Sequence, residues 1–106
     1  MKKLKFETKF VADILSGKKV STWRLFDDKD LQQGDELIFI NKETGQEFAQ
    51  ASIIEVKETG LDVVSDEDMK EHGYENKEKM YEAYRKYYGL KVTPSSILKV
   101  VEFKIK

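Results

Sequence analysis

Cysteine is missing from this chain of 106 residues, and proline and histidine occur once each, as Pro94 and His72. Without cysteine there is no disulfide, no thiolate zinc site and no cysteine nucleophile. A lone histidine cannot build a multi-histidine metal centre, so no motif implies a metal or a cofactor. No apolar run approaches the roughly 18 residues that a membrane helix needs. The lysines near the N-terminus are followed by no apolar core of the kind a secretory signal carries. The expectation is a soluble protein of the cytoplasm with no membrane partner. Linkers, repeats and low-complexity tracts are lacking too, which predicts a single domain over residues 1–106.

An excess of one charge is also lacking. There are 19 basic and 20 acidic side chains, so nothing global draws the protein to a polyanion or a lipid surface. The distribution is uneven, however. Residues 1–25 carry Lys2, Lys3, Lys5, Lys9, Lys18, Lys19 and Arg24 against Glu7 and Asp13, whereas residues 62–79 carry seven acids against three lysines. The basic quarter could hold an anion; solvated faces that neutralise one another are the simpler reading.

Hydrophobic spacing supplies the elements. Leu4–Phe6 reads as a short strand. Phe10, Val11, Ile14 and Leu15 recur at helical spacing over Lys9–Ser16, with Thr8 as the expected N-cap and Gly17 as the stop. Strands are predicted over Val20–Leu25, Glu36–Ile40 and Phe48–Val56, the last two joined by a turn at Asn41–Gln46, with a polar loop from Asp27 to Gly34. Ser65 caps a short acidic helix near Asp66–His72, and Asn76 caps a helix over Lys77–Tyr88 that Gly89 ends. Met80, Tyr84 and Tyr87 form a stripe on that helix, expected to pack in the core, with a stacking platform for bases as the alternative. Ile97–Ile105 is the closing strand. A hairpin without crossover helices, among strands spread along the whole chain, predicts an α+β fold with a small, mostly antiparallel, partly closed barrel.

The stretch from Gly17 to Leu25 gathers Lys18, Lys19, Ser21, Thr22 and Arg24 directly after a helix end. Three cations and two hydroxyls suit an anionic or carbonyl-bearing ligand, because guanidinium grips phosphate or carboxylate two-pronged and lysine adds a point charge. Composition alone favours a basic edge strand that resists aggregation. Trp23 has the opposite strand parity to Thr22 and Arg24 and is expected in the core. His72 is expected to be exposed ahead of Gly73.

The same stretch, with Ile14-Leu15-Ser16 before it, resembles the opening signature of the ASCH domain. Gln33-Gly34-Asp35-Glu36-Leu37-Ile38, Phe48-Ala49-Gln50-Ala51-Ser52-Ile53, His72-Gly73-Tyr74-Glu75 and Val100-Val101-Glu102-Phe103 resemble its later segments in the right order. The resemblance implies a PUA-like β-barrel with flanking helices, and a cleft for RNA or a nucleotide-like ligand, lined by Lys18, Lys19, Ser21, Thr22 and Arg24. Some small bacterial members are hydrolases of acetylated cytidine that use a lysine, a threonine and a glutamate. By motif position these fall on Lys19, Thr22 and Glu75, the last with a one-residue ambiguity. This chain departs from those hydrolases at Trp23, in the acidic run Asp27-Asp28-Lys29-Asp30 and in its tyrosine-rich third helix. Lys19 and Thr22 are three residues apart, so a regular strand would point them to opposite faces. They converge only if the strand begins after Lys19 or carries a bulge. Three functions therefore stand open: a binding module for RNA or a nucleoside-like molecule, an amidohydrolase of a modified nucleoside, and a protein-interaction module.

Overall fold

The computed structural model describes residues 1–27 and 29–106, which leaves Asp28 of the acidic run outside the described residues. Five strands form one sheet: β1 (Lys2–Phe6), β2 (Ser21–Leu25), β3 (Glu36–Asn41), β4 (Glu47–Gly60) and β5 (Ile97–Ile105), in the order β1-β3-β4-β5-β2. Among the described residues, β1 and β3 run parallel, and the pairings β2–β5, β3–β4 and β4–β5 are antiparallel. Helices α1 (Thr8–Ser16), α2 (Asp66–Glu71) and α3 (Lys77–Tyr88) flank the sheet. The predicted α+β half-closed barrel is the fold found, and β1 and β2 are its two edges.

Two apolar clusters hold it. The inner one joins Leu4 and Phe6 of β1, Leu37 and Phe39 of β3, Ala51 and Ile53 of β4, and Val101 and Phe103 of β5, with Ile14 of α1 closing over them. Phe39 meets Phe6 and Phe103 edge-on, each at 4.8 Å between ring centroids. The outer cluster puts Met80 and Tyr84 of α3, with Met69 of α2, against Leu25 of β2 and Leu98 of β5. Strand alternation sorts β5 between the two: Val101 and Phe103 go inside, and Leu98 goes outside.

Several sequence expectations are corrected in detail. β4 runs past Val56 to Gly60, because a register shift between Ile53 and Glu55 absorbs one residue. Ile54 is the residue left exposed there, and Val56 returns to the inner side opposite Val101. The N-cap of α1 is Glu7, without a side-chain cap, and the Thr8 hydroxyl donates instead to Asn41 Oδ1 at 3.1 Å. The loop after β2 is not wholly polar, since Leu31 is buried in the inner core. The caps at Ser65 and Asn76 are present, accepting from the backbone N–H groups of Asp68 and Lys79.

Candidate functional site

A cleft of about 890 Å3 opens between the free edges of β1 and β2. Lys5 and Phe6 come from β1, Phe10 and Asp13 from α1, and Thr22, Trp23 and Arg24 from β2. The turn after α2 adds His72, and α3 adds Tyr84, Tyr87 and Tyr88. All five residues expected to bind a ligand, Lys18, Lys19, Ser21, Thr22 and Arg24, line this one cavity.

The way Lys19 reaches it answers the parity problem. Gly17 ends α1 with φ of +84°, a left-handed cap that a residue with a Cβ adopts only under strain. The chain then folds back, and the Lys19 N–H donates to the Asp13 carbonyl at 3.0 Å. The strand begins only at Ser21, so strand alternation does not govern Lys19. Lys19 Nζ lies 5.1 Å from the Phe10 ring centroid, and among the described residues no carboxylate pairs with it. Burial and the neighbouring charge of Arg24 lower its pKa, and the nearby charge of Asp13 offsets this only in part.

Thr22 stands opposite Val101 on the inner side of β2 and is the one buried polar residue among those described. None of the described residues hydrogen-bonds to its hydroxyl. Arg24 shares that side. Its Nη2 donates to the Lys5 carbonyl at 3.2 Å, which spans the gap between the two edge strands, and its guanidinium carbon lies 5.1 Å from the Phe6 ring centroid. Its Nε is buried and finds no hydrogen-bond partner among the described residues. Leaving such a donor unsatisfied costs about 1–3 kcal/mol. Burial also pulls the Arg24 guanidinium below its usual range.

Aromatic rings supply the rest of the wall. Trp23 and His72 stack at 3.7 Å between centroids with 24° between planes, and His72 Nδ1 lies 3.1 Å from the Asp68 carbonyl. The expectation for His72 changes, and that for Trp23 holds in part. His72 is half-buried rather than exposed, and Trp23 packs against the outer core while presenting part of its ring to the cleft. The reason is that β2 is an edge strand: a side chain on its outer side is reachable around the edge. Burial, with the charge of Lys19 as a smaller contribution, lowers the His72 pKa against the raising effect of the Asp68 carbonyl. Burial and the adjacent Tyr74 push the Tyr84 hydroxyl well up, so it is a neutral hydrogen-bonding group at any physiological pH. The α3 stripe divides: Met80 and Tyr84 are buried as expected, but Tyr87 is 56% exposed at the mouth of the cleft.

Glu75 is not in the cleft wall. It lines a separate cavity of about 530 Å3 with Asp66, Met69, Lys70 and Lys77. The carboxylates that do line the cleft are Glu7, Asp13 and Glu71. Sequence reasoning missed Phe10, Lys42 and the cleft position of His72. Lys42 sits in the β3–β4 turn and approaches the site only because the sheet curls, for which a single sequence carries no signal. Among the described residues no cluster of three or more metal-ligating side chains forms, and no helix is long and apolar enough to cross a membrane.

No protein-family model matches the chain, and no curated protein matches it. Solved structures do share its fold. A DUF984 protein from Enterococcus faecalis superimposes with a TM-score of 0.71 at 19% identity, over 92% of this chain and 69% of its own. The hypothetical protein PH0355 gives 0.68 at 20% identity over 100% of both chains. An ASCH domain from Lactobacillus crispatus gives 0.65 at 20% identity, over 90% of this chain and 69% of its own. The chain has the α+β, PUA-like ASCH-domain fold that its opening motif resembles.

Proposed function

We propose that this ASCH-type fold binds a nucleotide- or nucleoside-like ligand in the cleft between β1 and β2. The observation that carries the reading is the pairing of two partly buried cations, Lys19 and Arg24, that no carboxylate among the described residues neutralises, with an aromatic stack of Trp23 on His72. An oxyanion answers the cations and a base answers the rings. The cleft wall carries Lys5, Lys9, Lys18, Lys19, Arg24 and Lys42 against Glu7, Asp13 and Glu71, a local excess of positive charge on a chain whose net charge is -1. A local excess of this size suits a small anion better than a long duplex. Arg24 would grip phosphate, Lys19 would add a point charge, and the Thr22 and Ser21 hydroxyls would supply directional hydrogen bonds. Incubation with a panel of nucleosides and nucleotides, read by mass spectrometry for both bound ligand and product, tests this. Retention of a nucleotide by the wild type, weakened roughly tenfold or more in Arg24→Ala, is the expected outcome. Unchanged affinity in that variant removes Arg24 from the site.

A second reading has its own support. Lys19 has a lowered pKa and lines the same cleft as the unpartnered Thr22 hydroxyl. In an amidohydrolase of an acetylated cytidine-type nucleoside, Thr22 Oγ attacks the amide carbonyl while neutral Lys19 takes its proton. Lys19 then passes the proton to the departing amine, and water hydrolyses the resulting threonyl ester. Of the 71–75 segment, Glu71 lines this cleft and Glu75 lines the other cavity. Turnover of acetylated cytidine, abolished in Thr22→Ala and Lys19→Ala, is the signature. Absence of hydrolysis across a panel of acylated nucleosides ends the reading. The protein-interaction alternative has weaker support, because a pocket is present beside Thr22.

A further inference from the structure

The inner cleft leaves a group of aromatic and basic side chains at its outer end without a role. Phe26 follows directly on β2 with φ of +52°, a left-handed conformation that a bulky side chain rarely adopts. The ring gains little burial in exchange, being 40% exposed. It meets Tyr88 edge-on at 5.8 Å between centroids, and Tyr88 meets Tyr87 at 4.8 Å. Lys91 Nζ lies 4.4 Å from the Phe26 centroid and Lys42 Nζ 4.7 Å from that of Tyr87. Tyr87, Tyr88 and Lys42 also line the cleft, so this cluster continues the same surface outward.

We infer that the cluster of Phe26, Tyr87 and Tyr88 is a second base-stacking position, and that the cleft takes a short single-stranded oligonucleotide rather than an isolated nucleoside. The inference rests on the nucleotide-binding reading above and extends it. Phe26 on its strained turn and Tyr87 near the end of α3 are exposed and offer π-faces to bases of any identity, provided the bases are unpaired, while the half-buried Tyr88, stacked on Tyr84, backs them. Lys42 and Lys91 now rest on ring faces. Base stacking on an aromatic ring is stronger than an exposed cation–π contact, so an incoming base displaces these flexible ammonium groups toward the phosphates that join it to its neighbour. The cavity of about 890 Å3 stands near the top of the range, roughly 300–1,000 Å3, of sites that hold one small ligand; Tyr87 and Tyr88 line its wall, and Phe26 carries the aromatic surface past that lining. The rings of Phe26 and Tyr87, added to the Trp23–His72 pair, offer more stacking surface than a single base covers.

The test compares dissociation constants, at one fixed salt concentration, for cytidine monophosphate and a single-stranded RNA tetranucleotide. Wild type, Phe26→Asn, Tyr87→Ala and Arg24→Ala are measured side by side; asparagine tolerates the left-handed backbone, so Phe26→Asn keeps the turn. The tetranucleotide is expected to bind about tenfold tighter than the monophosphate. Phe26→Asn and Tyr87→Ala each lose roughly tenfold for the tetranucleotide, with monophosphate binding unchanged in Phe26→Asn, while Arg24→Ala weakens both. A tetranucleotide that binds no tighter than the monophosphate overturns the inference and leaves the nucleotide site standing. So does a tetranucleotide affinity untouched by both aromatic substitutions. Failure of the wild type to bind either probe brings down the nucleotide reading as well.

Discussion

Lys99 and Lys19 show what the same side chain does in two settings. Lys99, on β5, lies 2.7 Å from Asp27 Oδ2, with both side chains mostly buried. The Asp27 carboxylate also accepts from the backbone N–H groups of Leu31 and Lys29. Burial alone would raise the Asp27 pKa, but the Lys99 hydrogen bond and those two N–H groups outweigh it and hold the carboxyl below its ordinary range. The Lys99 ammonium is raised in turn by the same bond. Lys19 is half-buried too, yet it faces an aromatic ring and another cation, and its pKa falls. The first arrangement is complete in itself and ties the loop after β2 to the sheet. The second has no carboxylate partner among the described residues, and that separates a structural charge from a candidate binding charge.

Breaking the tie at Asp27 is the largest effect expected. Asp27→Ala leaves Lys99 partly buried without its partner and frees two backbone donors, a loss on the order of 2–3 kcal/mol, read as a fall in denaturation midpoint. Lys99→Met should cost on the order of 2 kcal/mol by the same route. Lys19→Met, an equally long apolar replacement, should change stability by less than about 0.5 kcal/mol in either direction while weakening anion binding. Equal destabilisation by the two lysine substitutions would abolish the distinction. The next effect sharpens the geometry. Gly17→Ala strains the left-handed cap that turns Lys19 into the cleft, costing about 1 kcal/mol, and binding should weaken along with stability.

The smallest effect is a pH dependence. His72 has a folded pKa below its ordinary value, so the unfolded chain takes up the proton more readily. Its contribution is fully present above about pH 6.5 and is lost as the pH falls below that. Thermal midpoints measured from pH 7.5 down to 5.5 should drop, and His72→Gln should flatten that part of the profile. An unchanged slope in His72→Gln would mean that burial does not lower the His72 pKa in the folded chain.

Much of the fold was legible because local signals agreed. Helical spacing in Lys9–Ser16, the caps at Ser65 and Asn76, and alternation in β5 each point to the element that forms. The bulge at Ile53–Glu55 was not legible, since alternation in a single sequence looks continuous until the partner strand sets the register. In the site, the cluster Lys18 to Arg24 was visible as residue types. Parity gave the side of Trp23 but not that part of its ring would reach the cleft around an edge strand, and the half-buried place of His72 depends on the Trp23 stack, which no local pattern shows. The motif drew attention to Glu75; a turn two residues past the end of α2 puts it in a different cavity and leaves Glu71 in the cleft.

By itself the sequence determined what chemistry is available. It has no thiol and one imidazole, together with a run of cations and hydroxyls behind a glycine-ended helix and a third helix rich in tyrosine. Those are properties of residue types and short spacings, and no fold alters them. Only the tertiary structure decided which of these groups face one another. Closure of the sheet brings β1 near β2, though they are at opposite ends of the strand order, and that gap, bridged by Arg24 to the Lys5 carbonyl, is the cleft. Whether a cation is neutralised, as Lys99 is, or left without a carboxylate partner among the described residues, as Lys19 is, depends on long-range neighbours 72 residues apart in the first case, and no local pattern encodes that distance.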